Sequence, residues 1–424
     1  MYQMLNLDRT NSIVLLTLFL LGGFGFVLLS STSLDYICLF LLVLLALPVL
    51  RNGEGKKVEY SLAIKLYLAF VFLSCLYSWR INGQSIQSVL GHSYEFFSLG
   101  FFFVLVRYQL SYAEAEAAFV KVSLLFCFCY FLQWAIYPTV LFSGALDENN
   151  VDVDRFRLRL PGSLCCYFLL MFSLNRFLIH RLPKDLLLVF VAFFPIIIQG
   201  FRSLLTFTLF AFFMIIPFVQ KSFKKSIKYV FIGFSFVAIA MATSLVQSKM
   251  GEMMERQESN QTFENDDYIR FLSFNYYWNE QFTKPYEKFF GGGKPVDVST
   301  EYYNDIDIAE ENFGFFWVDL GIVGLSMIIG IPAVLLLVFM YIRCMWRCRE
   351  PEIQFIRFTL FVVLCSSLFT TMELFRTGNI LLLSFLLYLE YSYHQEMQSE
   401  DSCSLDDGNL EKLSEQTEFV ALPQ

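Results

Sequence analysis

SLAIKLYLAFVFLSCLYSW, residues 61–79, carries one charged side chain, Lys65. As an α-helix it would extend roughly 28 Å, close to the thickness of a bilayer's hydrocarbon core. Comparable apolar runs recur from Ser12 to Tyr393, and the polar breaks between them place spans near 12–30, 34–50, 61–79, 93–107, 118–142, 162–180, 184–200, 202–219, 227–246, 313–341, 353–373 and 378–394. The expected fold is therefore an all-α polytopic membrane protein with about twelve transmembrane helices. Composition agrees: 56% of the 424 residues are hydrophobic and 17% charged, with a mean hydropathy of +0.54. A water-soluble fold could not hide that much apolar surface. The first run, from Ile13 to Leu29, is read as an uncleaved anchor, since its apolar part is long, no A-x-A site follows and a second span begins at Leu34.

Alternate connections are basic: Arg51, Lys56 and Lys57; Arg107 and Lys121; Arg176, Arg181 and Lys184; Lys221 to Lys228; and Arg343, Arg347 and Arg349. The positive-inside rule makes these cytoplasmic, which leaves both termini inside. Residues 1–394 then form the membrane domain, and residues 247–312 form a large extracytoplasmic loop between spans 9 and 10. Residues 395–424 form an acidic tail with eight carboxylates against Lys412 alone, expected to be disordered. The tail supplies −7 of the net −8, so no basic surface suggests nucleic acid. Ten cysteines lie mostly in or beside spans and read as small apolar fillers. In the large loop, Tyr268 to Trp278 suits a helix at the membrane surface, and Gly291-Gly-Gly293 is expected to force a turn. Lys294 is followed by Pro295, so the run is not a phosphate-cradling P-loop.

On the outer side stand Arg155, Arg157 and Arg159, then Arg202 in Gln199-Gly-Phe-Arg-Ser203, and Arg270. Arginines of this kind bind phosphate through two parallel hydrogen bonds, or snorkel to lipid phosphates. Arg202 heads an apolar helix, where an anion is favoured. Carboxylates cluster in Asn304-Asp-Ile-Asp-Ile-Ala-Glu-Glu-Asn312, immediately before a span, and Asp319 lies within that span. An ionisable group there is costly and therefore a functional candidate, with a helix-packing hydrogen bond as the plain alternative. Asp305 with Asp307, and Asp152 with Asp154, read as solvated loop residues, so no metal is expected. Only His92 of three histidines faces outward, and there is no G-x-S-x-G elbow.

In order along the chain come Arg159 and Gly162; Gly200, Arg202 and Ser203; Arg270, Trp278, Gly291 and Gly293; and Glu311, Asn312, Asp319, Gly321 and Gly324. This order resembles the O-antigen polymerase and O-antigen ligase superfamily of bacterial envelope glycan assembly. Many ligases of that family carry His-Asn where this chain has Glu311-Asn312, a departure that weighs against the ligase branch and leaves the polymerase branch open. The resemblance implies a glycosyltransferase of type-C-like fold in the bacterial cytoplasmic membrane, needing no cofactor. It would transfer a glycan from undecaprenyl diphosphate to a sugar hydroxyl of another lipid-linked repeat unit. Arg159, Arg157, Arg202 and Arg270 would bind the diphosphate, and Glu311 or Glu310 would be the base, with Asn312, Asp319 and Trp317 as further site candidates. Membrane lipid, the undecaprenyl-diphosphate-linked oligosaccharide and a chain-length regulator are the implied partners. A ligase acting on lipid A core and a repeat-unit flippase are the alternatives. A flippase should line a midplane cavity with charges, whereas Lys65, Glu95 and Asp319 are nearly the only ionisable residues within the spans.

Overall fold

The computed structural model describes residues 2–21, 32–52, 58–136, 162–199, 202–222, 227–231, 263–368 and 378–418, with a few single positions between them. Every regular element among these residues is helical. In chain order they are α1 (Tyr2–Leu21), α2 (Thr32–Asn52), α3 (Ser61–Arg80), α4 (Ile86–His92), α5 (Tyr94–Tyr108), α6 (Tyr112–Ala135), α7 (Leu164–His180), α8 (Pro183–Gln199) and α9 (Arg202–Gln220). The second half holds α10 (Phe263–Asn275), α11 (Pro285–Phe290), α12 (Glu301–Phe313), α13 (Gly321–Ile329), α14 (Ile331–Arg347), α15 (Gln354–Ser366) and α16 (Asn379–Glu418).

Two helices are apolar on all sides over long stretches and sit at the centre, as such helices must. They are α7, from Leu164 to Met171, and the first part of α16, from Ile380 to Leu389. Rings join them to their neighbours: Phe119 of α6 stacks on Phe168 of α7 at 3.9 Å and on Phe385 of α16 at 5.0 Å. The outer surface is apolar too, with Leu62 of α3 at 72% exposure and Phe40 of α2 at 70%. Helices greasy on both faces have a place in hydrocarbon and none in water. Among the described residues, three helices are long and apolar enough to cross a membrane, and five if each bent pair counts as one span. Residues 232–246, most of the expected ninth span, lie outside the described residues.

Three expectations are corrected. The run 313–341 is not one helix: it holds a turn at Trp317–Leu320, α13, a break at Gly330 and then α14. The glycine run carries no turn: it leaves α11 as an irregular segment, with Gly291 and Gly293 at positive φ, packed into that break. And α16 carries helix on to Glu418, through most of the tail expected to be disordered. That segment has no proline before Pro423 to stop a helix already nucleated in the core.

The break at Gly330 frees carbonyls at the end of α13, and the glycine segment answers them. Gly292 N–H donates to Met327 O at 2.7 Å and Gly293 N–H to Ile328 O at 3.0 Å, while Ser74 Oγ also donates to Ile328 O. The segment's own carbonyls accept from other residues, Gly292 O from Asn82 Nδ2 and Gly293 O from Tyr302 Oη. Gln84, buried just beyond α3, then fixes the following residues: its Nε2 donates to Ser78 Oγ and Lys294 O, and its Oε1 accepts from Val296 N–H and Asp297 N–H. No side chain fits in this seam. A Cβ on Gly330 would stand 2.2 Å from Phe289 O, and one on Gly293 would stand 2.5 Å from Ser78.

Gly83 and Gly330 both have positive φ, but a Cβ on Gly83 meets nothing within 4 Å. Gly83→Ala should therefore cost only backbone strain, about 1 kcal/mol. Gly330→Ala adds overpacking against backbone and should cost more than about 3 kcal/mol. Thermal unfolding of the two variants in detergent checks the difference.

Candidate functional site

The described part of the large loop builds an elbow next to the seam. Thr300 caps α12, its Oγ1 accepting from Tyr303 N–H at 3.2 Å. At the other end Gly314, at φ 69°, turns the chain through a left-handed cap. There Gly314 N–H bonds to Glu310 O and Phe315 N–H to Ala309 O. The chain then enters Trp317–Ile329 at 82° to α12. Helix α12 is polar along much of its length, whereas α13 is apolar and largely buried. The elbow is braced by Tyr277, a buried ring in the helical turn Tyr276–Gln281 that follows α10, whose Oη donates to Phe315 O at 2.7 Å.

Glu310 sits half-buried inside this elbow, and its carboxyl is pushed up to about 7, mainly by loss of solvent and then by the charges of Asp307 and Asp319. Asp307 and Glu310 are three apart on one face of α12. Asp319 reaches them from across the bend. Glu311, the alternative base, is exposed, as is Asn312. Helical phase separates the two neighbouring glutamates: one turns toward Tyr277 and Asp319, the other toward solvent.

The remaining candidates divide. Arg270 is exposed on α10, which packs against the Trp317–Leu320 turn that carries Asp319. Arg202 is the first residue of α9, as expected, but its side chain lies outside the described residues. Arg155, Arg157 and Arg159 lie outside them altogether, as do Asp152 and Asp154. Gly162, at φ 80°, abuts Gly378, and Asn379 Oδ1 accepts from Leu164 N–H at the start of α7, so this glycine serves close packing. Trp317, a further candidate, is buried in the core, and Tyr302 is buried in the seam. Asp319 lies in the short turn before α13, exposed, and not in the interior of a spanning helix. Asp305 and Asp307 diverge: Asp305 lines a cleft of about 230 Å³ with Tyr77, Asn82, Glu287 and Glu301, whereas Asp307 faces Glu310. Two residues apart on a helix point about 200° from each other, so this pair cannot chelate one ion. Among the described residues, no group of three or more His, Cys, Asp or Glu is arranged to hold a metal.

Sequence reading missed one charged cluster. Lys294 Nζ lies 2.9 Å from Glu95 Oε1, a carboxylate almost wholly buried at the start of α5, and Asp35 of α2 is within electrostatic reach of both. An acid inside an apolar run demands a partner, and that demand was the legible signal. The partner's position, 199 residues later, was not.

Comparison with known protein families finds no match, and comparison with curated proteins finds no relative.

Because Glu310 is raised in the folded chain above its ordinary value of 4.5, the unfolded chain releases this proton first as pH rises. Stability falls between about 4.5 and about 7 and is then level with respect to this group. Glu310→Gln should therefore become increasingly more stable than wild type across that window. Unfolding curves for both proteins at pH 5, 6, 7 and 8 check it; a constant difference would refute it.

Proposed function

We propose that this chain is a membrane glycosyltransferase that polymerises undecaprenyl-diphosphate-linked oligosaccharide repeat units on the extracytoplasmic face of the bacterial cytoplasmic membrane. In this reading it has about twelve spans and both termini cytoplasmic. The observation that carries the reading is Glu310, a carboxyl poised near neutrality at the elbow where the polar helix α12 meets the apolar α13. A general base works best with a pKa near the working pH, and a hydroxyl is the group in this reaction that must lose a proton.

Glu310 takes the proton of the acceptor sugar hydroxyl as its oxygen bonds to the donor's anomeric carbon. The bond from that carbon to the diphosphate oxygen breaks, and undecaprenyl diphosphate departs with the electron pair. Its growing charge needs matching cations more than it needs a proton. Arg270, beside the elbow, and Arg202, at the head of α9, are the candidates for that role, with Arg157 and Arg159 from the preceding outer loop. Asp307 and Asp319 keep Glu310 basic enough to accept a proton. The cleft between α3 and α12, rich in carboxylates and amides, offers acceptors to sugar hydroxyls. Glu95 is neutralised by Lys294, whose backbone is fixed by Gln84, so this buried charge is accounted for by packing and does not call for a charged substrate path.

Glycan length on a denaturing gel, in cells lacking the protein and complemented by variants, tests this. Glu310→Gln should lower polymer formation by about 10²–10⁴, leaving single repeat units, while Glu311→Gln should restore the ladder. Arg202→Ala should behave like Glu310→Gln. Long chains accumulating on the lipid carrier would indicate a ligase, and an unchanged ladder in the deletion would indicate a transporter or another role.

A further inference from the structure

Helix α14 starts at the seam and ends, 17 residues and roughly 25 Å later, at a second polar boundary. Four arginines stand there. Arg343 and Arg347 are engaged, Arg343 with Glu59 at 3.1 Å and Arg347 with both Glu59 and the buried Glu390. Arg349 and Arg357 are not: among the described residues neither has a carboxylate within ion-pair distance, and each lies over a ring, Arg349 over Trp346 at 5.5 Å and Arg357 over Phe218 at 4.8 Å. Together they edge a cleft of about 420 Å³ whose other walls are Ile342, Met345 and Trp346.

The cleft has an apolar extension. Leu335, Phe339, Ile342 and Trp346 recur every three or four residues, so they form one stripe along α14. All four are exposed, Trp346 at 66%. Two cations at the end of an apolar stripe, at the depth where an interfacial tryptophan sits, complement a molecule with an anionic head and a hydrocarbon tail. A free phosphate would use the arginines and leave the stripe unexplained. A zwitterionic lipid would cover the stripe and bring no net charge to the arginines.

We propose that this cleft binds one anionic phospholipid, its phosphate on Arg349 and Arg357 and an acyl chain along Leu335, Phe339, Ile342 and Trp346. The bound lipid ties α14 to α15 at the boundary opposite the seam, a site separate from the Glu310 elbow. The stacked guanidinium groups are held in place before the lipid arrives, so little side-chain entropy is lost on binding.

Native mass spectrometry of the full chain in a non-ionic detergent tests this, with phosphatidylglycerol and phosphatidylcholine of identical acyl chains added in turn. Wild type should retain phosphatidylglycerol about ten-fold better, and Arg349→Gln with Arg357→Gln should bring the two lipids within about two-fold. If the double variant does not give a monodisperse peak, each single variant should reduce the preference about three-fold. Equal retention of both lipids by wild type, or an undiminished preference in the variants, overturns the proposal. A gain in thermal stability from inorganic phosphate matching that from phosphatidylglycerol also overturns it, by showing an anion site with no place for the tail.

Discussion

A helix interrupted among apolar neighbours leaves backbone carbonyls that water cannot reach, and the organisation of this protein's second half follows from how that need is met. At Gly330 the chain abandons one helix for another, and Met327 and Ile328 would be left without donors. In hydrocarbon each unsatisfied group costs several kcal/mol, so the break can exist only where another segment supplies N–H groups. The supplier has to come within backbone distance on every side, and glycine alone permits that. The seam thus fixes the path of the loop ahead of α12, and the bend that follows α12 holds Glu310 inside the elbow.

The helical, lipid-facing character of the chain was legible because it rests on length and composition alone. Residues 61–79 read as one helix and form one. The run 313–341 reads the same way by hydropathy and yet is broken, because the deciding contacts come from residues 291–293, which no local window contains. Gly330 gave the only local hint, and a glycine within a span is otherwise unremarkable. The same limit applies to the glycine run: as a local signal it indicates a turn, and only Ser78, Gly330 and the α13 carbonyls, distant in sequence, give its irregular path its partners.

The candidate site was legible as a cluster and not as an arrangement. Sequence placed acids ahead of a span, but it could not distinguish Glu310 from Glu311, since that depends on helical phase relative to Tyr277 and on the bend at Gly314. It read Asp319 as a charge inside a helix, whereas a one-turn segment places it outside. It offered Trp317 as a further site candidate, and the core buries that ring. Aromatic residues near an interface satisfy packing and recognition equally well by composition, so only burial separates the two uses.

The seam also orders events in time. It joins Ser74 and Ser78, the backbone of Gly292 and Gly293, and the carbonyls of Met327 and Ile328. Residues 74 and 328 are separated by 254 positions. During synthesis, therefore, α3 reaches the bilayer long before either of its partners exists, and the loop's final path is open to it only once the chain has grown past residue 330. Contacts so distant in sequence form late and carry a large closure entropy. The face that carries the elbow thus takes its shape only after the first 330 residues have been made.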